Sequence, residues 1–204
     1  MRRCPAKARY AAGFTLIEAA IVLVVIGLIL GVVLQGQSLI RNAEYRSFQT
    51  SISDYQSAFY EFRDRYSALP GDFSRADTRL GLGGNPNGDG NGIIDDGPGC
   101  TNASDETCLA WRHLRGARLI SGNPETAGNE SRPTHPFAGA FDGFFTGSEG
   151  NGVFENKLFI TDVPADIAQR MDDQIDDQEP DSGRVSCNDC DYEDDDRVDL
   201  IITL

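Results

Sequence analysis

Gly13-Phe14-Thr15-Leu16-Ile17-Glu18 runs directly into Ala19-Ala20-Ile21-Val22-Leu23-Val24-Val25-Ile26-Gly27-Leu28-Ile29-Leu30-Gly31-Val32-Val33-Leu34. From Ala19 to Leu34 there are sixteen residues without a charge. With Phe14 to Ile17 the apolar run reaches about twenty residues, enough for a helix rising ~1.5 Å per residue to cross a hydrocarbon core of ~30 Å. Arg2, Arg3, Lys7 and Arg9 precede it, and no acid occurs before Glu18. That asymmetry predicts an N-terminus held in the cytoplasm and a chain exported after Leu34. Glu18 is the exception within the run. A carboxylate in an apolar helix costs ~2.5–3.5 kcal/mol on insertion scales, which marks it as a candidate functional residue. A secretory signal peptide would place its small-residue cleavage site after the apolar core. Here Ala11, Ala12 and Gly13 stand before it.

The basic leader, Gly13, the Phe14-Thr15-Leu16-Ile17-Glu18 run and the apolar helix together resemble the cleavage and methylation signal of type IV prepilins and type II secretion pseudopilins. The resemblance covers the first forty residues. It implies cleavage after Gly13 by a prepilin peptidase and N-methylation of Phe14. It also implies that Glu18 pairs with the free amino terminus of a neighbouring subunit in a filament. The physical argument agrees, because a carboxylate in apolar surroundings requires a partner. Filament pilins often carry a helix-breaking proline near the position of Gln35. No proline occurs here between Pro5 and Pro70, and Gly27, Gly31 and Gly36 supply softness instead. The Gly27–Gly31 spacing also allows close helix approach, although it is common by chance.

The expected organisation is a cleaved leader at 1–13, a transmembrane and filament-core half-helix at 14–35, an amphipathic half-helix at 36–66 and an extracytoplasmic domain at 67–204. In the second half-helix Tyr45, Phe48, Ile52, Tyr55, Phe59, Phe62 and Tyr66 recur at alternating spacings of 3 and 4. That is one face of a helix and reads as a packing seam, not a cofactor box. The fold class is therefore α+β, a long N-terminal helix packed on a C-terminal antiparallel β-sheet in a loop-rich, pilin-like domain. Ser67-Ala68-Leu69-Pro70-Gly71-Asp72 ends the helix, since Pro70 pushes Leu69 out of the helical region. Leu69-Pro70-Gly71-Asp72 at this place also resembles a subset of prepilin-like proteins.

The chain of 204 residues has a net charge of −14, and loss of the four leader cations makes it −18. After Tyr66 there are 27 acids and 10 bases. Such a surface disfavours nucleic acid as a partner and suits cations. The segment Asn87-Gly88-Asp89-Gly90-Asn91-Gly92-Ile93-Ile94-Asp95, within a candidate loop at 87–98, follows the first nine positions of a calcium loop of the EF-hand type. Asn87, Asp89 and Asn91 would offer side-chain oxygens and Ile93 its carbonyl. Ile94 would point to the core, and Asp95 would take position nine. Position one is Asn rather than Asp, and Pro98 stands where a bidentate Glu belongs. Asp96 or a remote carboxylate would have to complete the shell. The competing reading is a Gly/Asn-rich turn with no metal.

Four cysteines follow the leader's Cys4: Cys100, Cys108, Cys187 and Cys190. An even number in an exported domain reads as two disulfides. Three pairings are possible, and Cys100–Cys108 with Cys187–Cys190 is preferred because each closes a short local loop. Zinc through all four is disfavoured, since Cys100 and Cys108 supply no second close pair. Asp189, Asp191 and Glu193 alternate and could hold a second cation, or form a solvated acidic surface.

Residues 108–120 read as a helix stopped by Gly122, with Arg112, Arg115 and Arg118 either neutralising acids or meeting another subunit. Residues 123–152 read as loop, 153–161 as a strand, a short helix follows Pro164, and 199–204 closes the chain as a strand. Enzyme chemistry finds little support. His113 and His135 are the only histidines, and no nucleophile pattern, phosphate-cradling loop or His-rich metal motif accompanies them.

The sequence thus points to a structural subunit of an extracytoplasmic filament, either a type IV pilus or a type II secretion pseudopilus. Its partners would be prepilin peptidase and like or related pilin subunits. It would sit first in a bacterial inner membrane, single-pass with its C-terminal domain in the periplasm, and then in the filament. The alternative is a membrane-anchored, calcium-dependent adhesin or binding protein that uses a prepilin-type export signal.

Overall fold

The structure, a computed structural model, describes residues 15–148, 154–176, 179–180, 182–187, 192 and 196–204. The long helix α1 spans Leu16–Tyr66. By its contacts the chain divides into two compact units, Met1–Ala43 and Glu44–Leu204. In the first unit, α1 is long and apolar enough to cross a membrane. Every large apolar side chain there, from Leu16 to Ile40, is at least 47 % exposed.

The second unit is built around the aromatic stripe. Tyr45, Phe48, Ile52, Ala58, Phe59 and Phe62 are buried, and Tyr55 and Tyr66 are half-buried against the same core. Their spacing puts them on one face, and the domain wraps that face. Phe48 stacks on Phe141 with centroids 5.6 Å apart, Tyr55 meets Trp111 edge-on at 5.1 Å, and Phe59 lies 5.0 Å from Phe144. The helix ends on Ser67, whose left-handed backbone (φ 53°) lets its N–H donate to Arg63 O at 2.8 Å before Pro70 forbids continuation.

After the short α2 (Ala76–Arg79) and the loop comes α3, Glu106–Gly116. Its expected run to residue 120 is shortened. Arg118 takes a left-handed conformation (φ 60°), and the Leu119 N–H donates to Leu114 O at 3.0 Å. This six-to-one closure ends a helix without needing the glycine at 122. A 3₁₀ turn at Gly128–Ser131 precedes β1, Ala140–Ser148. Then come β2 (Phe154–Pro164), α4 (Ala165–Ile175), β3 (Val185–Cys187) and β4 (Arg197–Thr203). The four strands form one antiparallel sheet in the order β1-β2-β4-β3.

β1 was not expected, because residues 123–152 read as loop. Its register shifts between Phe141 and Gly143. That bulge breaks the alternation and lets both Phe141 and Phe144 enter the core. Gly143 is required there by space, since a Cβ would run into the Thr107 side chain of α3. The Trp111 indole N–H donates to Asp142 O at 3.0 Å, which satisfies the carbonyl at the irregular register.

Candidate functional site

Two places carry the candidate residues. The first is the start of α1. Gly13 and Phe14, the expected cleavage and methylation positions, lie outside the described residues. Glu18 is described, and its carboxylate accepts from the Thr15 N–H at 2.9 Å and from the Thr15 hydroxyl at 2.8 Å. The Glu18 N–H donates back to Thr15 Oγ1 at 3.3 Å. This reciprocal pair is a capping box, and Thr15-x-x-Glu18 is its sequence form. Within a single chain, then, Glu18 satisfies the Thr15 N–H and hydroxyl and places its negative charge at the positive end of the helix. The group exposes the same oxygens that a neighbouring cation would need.

The second place is the segment after α1. Cys100 and Cys108 are joined by a disulfide, with Cα atoms 4.8 Å apart, which ties the end of the loop to α3. Cys187 is also disulfide-bonded, while Cys190, its expected partner, lies outside the described residues, as do Asp189, Asp191 and Glu193.

The expected calcium ligands behave unequally. The Asn87 side-chain oxygen accepts the Asp77 N–H at 3.0 Å, so it is used as a tie to α2. Asp89 accepts from the Asn91 N–H and from Asn91 Nδ2, both at 2.9 Å. Asn91 Nδ2 also donates to Asp95 at 2.7 Å, and Asn91 Oδ1 accepts from the Ile93 N–H at 2.9 Å. Asn91 therefore turns its amide hydrogens, not its oxygen, toward the two acids. Asp96 Oδ2 accepts from the Glu106 N–H at 3.1 Å, which caps the first turn of α3. Ile94 is buried, as expected, and is stitched to β1 by its N–H to Thr146 Oγ1 at 2.8 Å and by Thr146 N–H to its carbonyl at 3.0 Å.

What completes the acidic group comes from elsewhere in the chain. Carboxylate oxygens of Asp72, Asp89 and Glu106 lie within 4.8 Å of one another. Glu106, the first residue of α3, accepts the Asp89 N–H at 2.9 Å and the Asp95 N–H at 3.0 Å. Asp72 is only 3 % exposed and accepts the Gly92 N–H at 3.0 Å. Burial raises the pKa of both Asp72 and Glu106, and Asp72 and Asp89 add to the shift on Glu106 by repulsion. A cleft of about 240 Å³ lined by Asn87, Asp89, Asp95, Asp96 and Glu106 opens beside Glu106, while Asp72 lines a separate cleft with Ser74, Gly90 and Gly92.

His113 organises the arrangement from α3. Its Nδ1 accepts the Gly71 N–H at 2.8 Å, and its Nε2 lies 2.6 Å from Pro86 O. Together these bonds fix the neutral Nε2–H tautomer and pin the chain on both sides of the acidic cluster. Burial, with a smaller contribution from the Arg112 charge, lowers its pKa to about 4. Arg112, expected to neutralise an acid or to meet another subunit, is buried. It donates to Gly83 O at 2.7 Å and Pro124 O at 3.2 Å and reaches Glu125 at 3.7 Å. His135 is likewise structural, near Thr161 O at 2.9 Å and edge-on to Phe48 at 5.2 Å.

Asp72, Glu106 and His113 were not assigned to the site from sequence. Asp72 and Glu106 lie outside the loop motif, 17 residues from Asp89 in either direction. The one available signal was Pro98 at the twelfth position of the expected loop, which left Asp96 or a remote carboxylate to complete a shell.

The prokaryotic N-terminal methylation motif matches residues 8–34. The chain carries the type IV prepilin signature. The match runs from Ala8, within the leader, through Gly13 and Phe14 to the exposed apolar part of α1, and residues 1–7 and 35–204 lie outside it. No curated protein and no solved structure matches the chain. The signature and the apolar helix support membrane anchoring and processing of the prepilin type.

Proposed function

We propose that this protein is a structural subunit of an extracytoplasmic helical filament, a type IV pilus or a type II secretion pseudopilus. In this reading prepilin peptidase cleaves it after Gly13 and methylates Phe14. The observation that carries the reading is the union of the methylation motif at residues 8–34 with a helix whose apolar side chains are exposed on all sides. Exposed apolar surface of this extent is unfavourable in water by ~25 cal/mol per Å², so it must be covered. Lipid covers it while the subunit waits in the inner membrane, with the leader cytoplasmic and the domain periplasmic. Helices of like or related subunits cover it in the filament. Glu18 then exchanges the Thr15 donors for the amino terminus of a neighbour, a charge-assisted bond of greater strength.

Mass spectrometry of the protein extracted from membranes tests the processing step. The expected species is residues 14–204 with a methylated N-terminus. A mature chain that retains residues 1–13, or that begins after Leu34, contradicts the reading.

A further inference from the structure

We propose that the domain binds one calcium ion between the carboxylates of Asp72, Asp89 and Glu106, fastening the chain that leaves α1 to the first turn of α3. The three oxygens lie within 4.8 Å of one another, the span that ligands around one calcium ion occupy at ~2.3–2.6 Å from the metal. Proximity of acids alone would not make a site. The second observation is the state of Asp72. The residue is only 3 % exposed, and while Oδ2 accepts the Gly92 N–H, Oδ1 is buried without a hydrogen-bond partner. A buried carboxylate oxygen without a partner is costly. Among the described residues no Lys, Arg or His forms an ion pair with Asp72, Asp89 or Glu106.

Asp72 and Asp89 both repel the Glu106 carboxylate. Only a proton or a cation can sit among them, and a cation answers all three at once. The backbone is shaped to bring them together. Gly88 passes so near the preceding segment that a Cβ would lie 2.6 Å from Asp72 Cα. Any side chain there would lift Asp89 away from Asp72.

The chemistry favours calcium. All the donors are hard oxygens, which excludes a preference for zinc or copper. The ligands come from three separate segments with unequal hydrogen bonding, an irregular set that calcium accepts and that magnesium, with its near-ideal octahedron, resists. The ligand set differs from that of an EF-hand loop. Asn87 and Asn91 hold the backbone, Asp96 caps α3, and the site is completed by Asp72 and Glu106.

The test uses the full chain in detergent, stripped of metal with chelator. Calorimetric titration with calcium should give one site per chain, and titration with magnesium should give binding at least about tenfold weaker. The melting temperature should rise by several degrees in saturating calcium relative to chelator. Asp72→Asn and Glu106→Gln should each weaken calcium binding at least about tenfold. In chelator, Asp72→Asn should melt no lower than the wild type, because a neutral amide removes the repulsion. A purely structural carboxylate predicts a lower melting temperature with and without calcium. Absence of calcium binding by the wild type at about 10 mM overturns the proposal, whatever the variants do. Binding of undiminished affinity in both variants also overturns it, as it would if the acidic run near the C-terminus held the ion.

Discussion

Between Leu16 and Ile40, α1 shows its leucines, isoleucines and valines on every side, whereas from Tyr45 to Tyr66 the same helix hides one aromatic stripe and leaves the remaining faces polar. Both halves are helical for reasons that composition alone supplies. They differ in where their apolar surface is answered. The second half finds its partner within its own chain, in Phe73, Trp111, Phe141 and Phe144. The first half must find it outside, in lipid or in other subunits. A helix that is apolar all round and exposed is a statement about surroundings. An amphipathic one is a statement about a fold.

The contrast is broken most forcefully at Phe62. Its ring is fully buried, 4.6 Å from Tyr66, 5.7 Å from Phe73 and 6.0 Å from His113 by centroids. Phe62→Ala should destabilise the domain by about 3–5 kcal/mol, read as a lower midpoint of denaturant unfolding in detergent. A midpoint within experimental scatter of the wild type would mean that the stripe is not the core.

The effect next in size is a dependence on pH. His113 has a folded pKa of about 4, below its ordinary value of 6.5. A histidine buried neutral contributes its stability above about pH 6.5, and that contribution is lost as pH falls toward 4. The loss should reach up to about 3 kcal/mol. His113→Gln, whose amide can keep a donor and an acceptor, should lack this component of the acid profile. A profile of unchanged shape in the variant assigns the acid loss to other groups.

At the small end stands the first half of α1. Leu23→Ala should leave the unfolding midpoint of the domain unchanged to within about 0.5 kcal/mol, since Leu23 is 70 % exposed. A loss comparable to that of Phe62→Ala would show that the two halves are energetically one unit.

The same contrast explains what could be read from the sequence. The helix was legible throughout, because its two patterns, an unbroken apolar run and a 3-and-4 stripe, are local. The last strand was legible from its apolar run, and α4 from its position after Pro164. β1 was not, because the bulge at Asp142 spoils the alternation and Gly143 and Gly147 weaken the propensity. Those features make sense only once Thr107 of α3 is seen above Gly143. The acidic site was half legible for a similar reason. The loop announces oxygen ligands at alternate positions, but Asp72 and Glu106 reach it only through the turn after α1 and the start of α3. Hydrogen bonds also tie Asn87, Asn91 and Asp96 to the backbone. The capping box at Thr15 and Glu18 shows the converse: a local motif can be present in plain sequence and still be eclipsed by a larger one.

In the filament proposed above, other subunits cover the exposed half of α1 and Glu18 answers a neighbour's amino terminus. The most direct measurement is the fraction of Glu18→Ala protein recovered in sheared filaments when it is produced beside the wild-type subunits of its own cell. Its membrane level and its cleavage after Gly13 are measured in parallel. The expected variant is cleaved, inserts at least as well as the wild type, because a charge has left the apolar helix, and is lost from the filaments. Incorporation at the wild-type level would contradict the proposed role of Glu18.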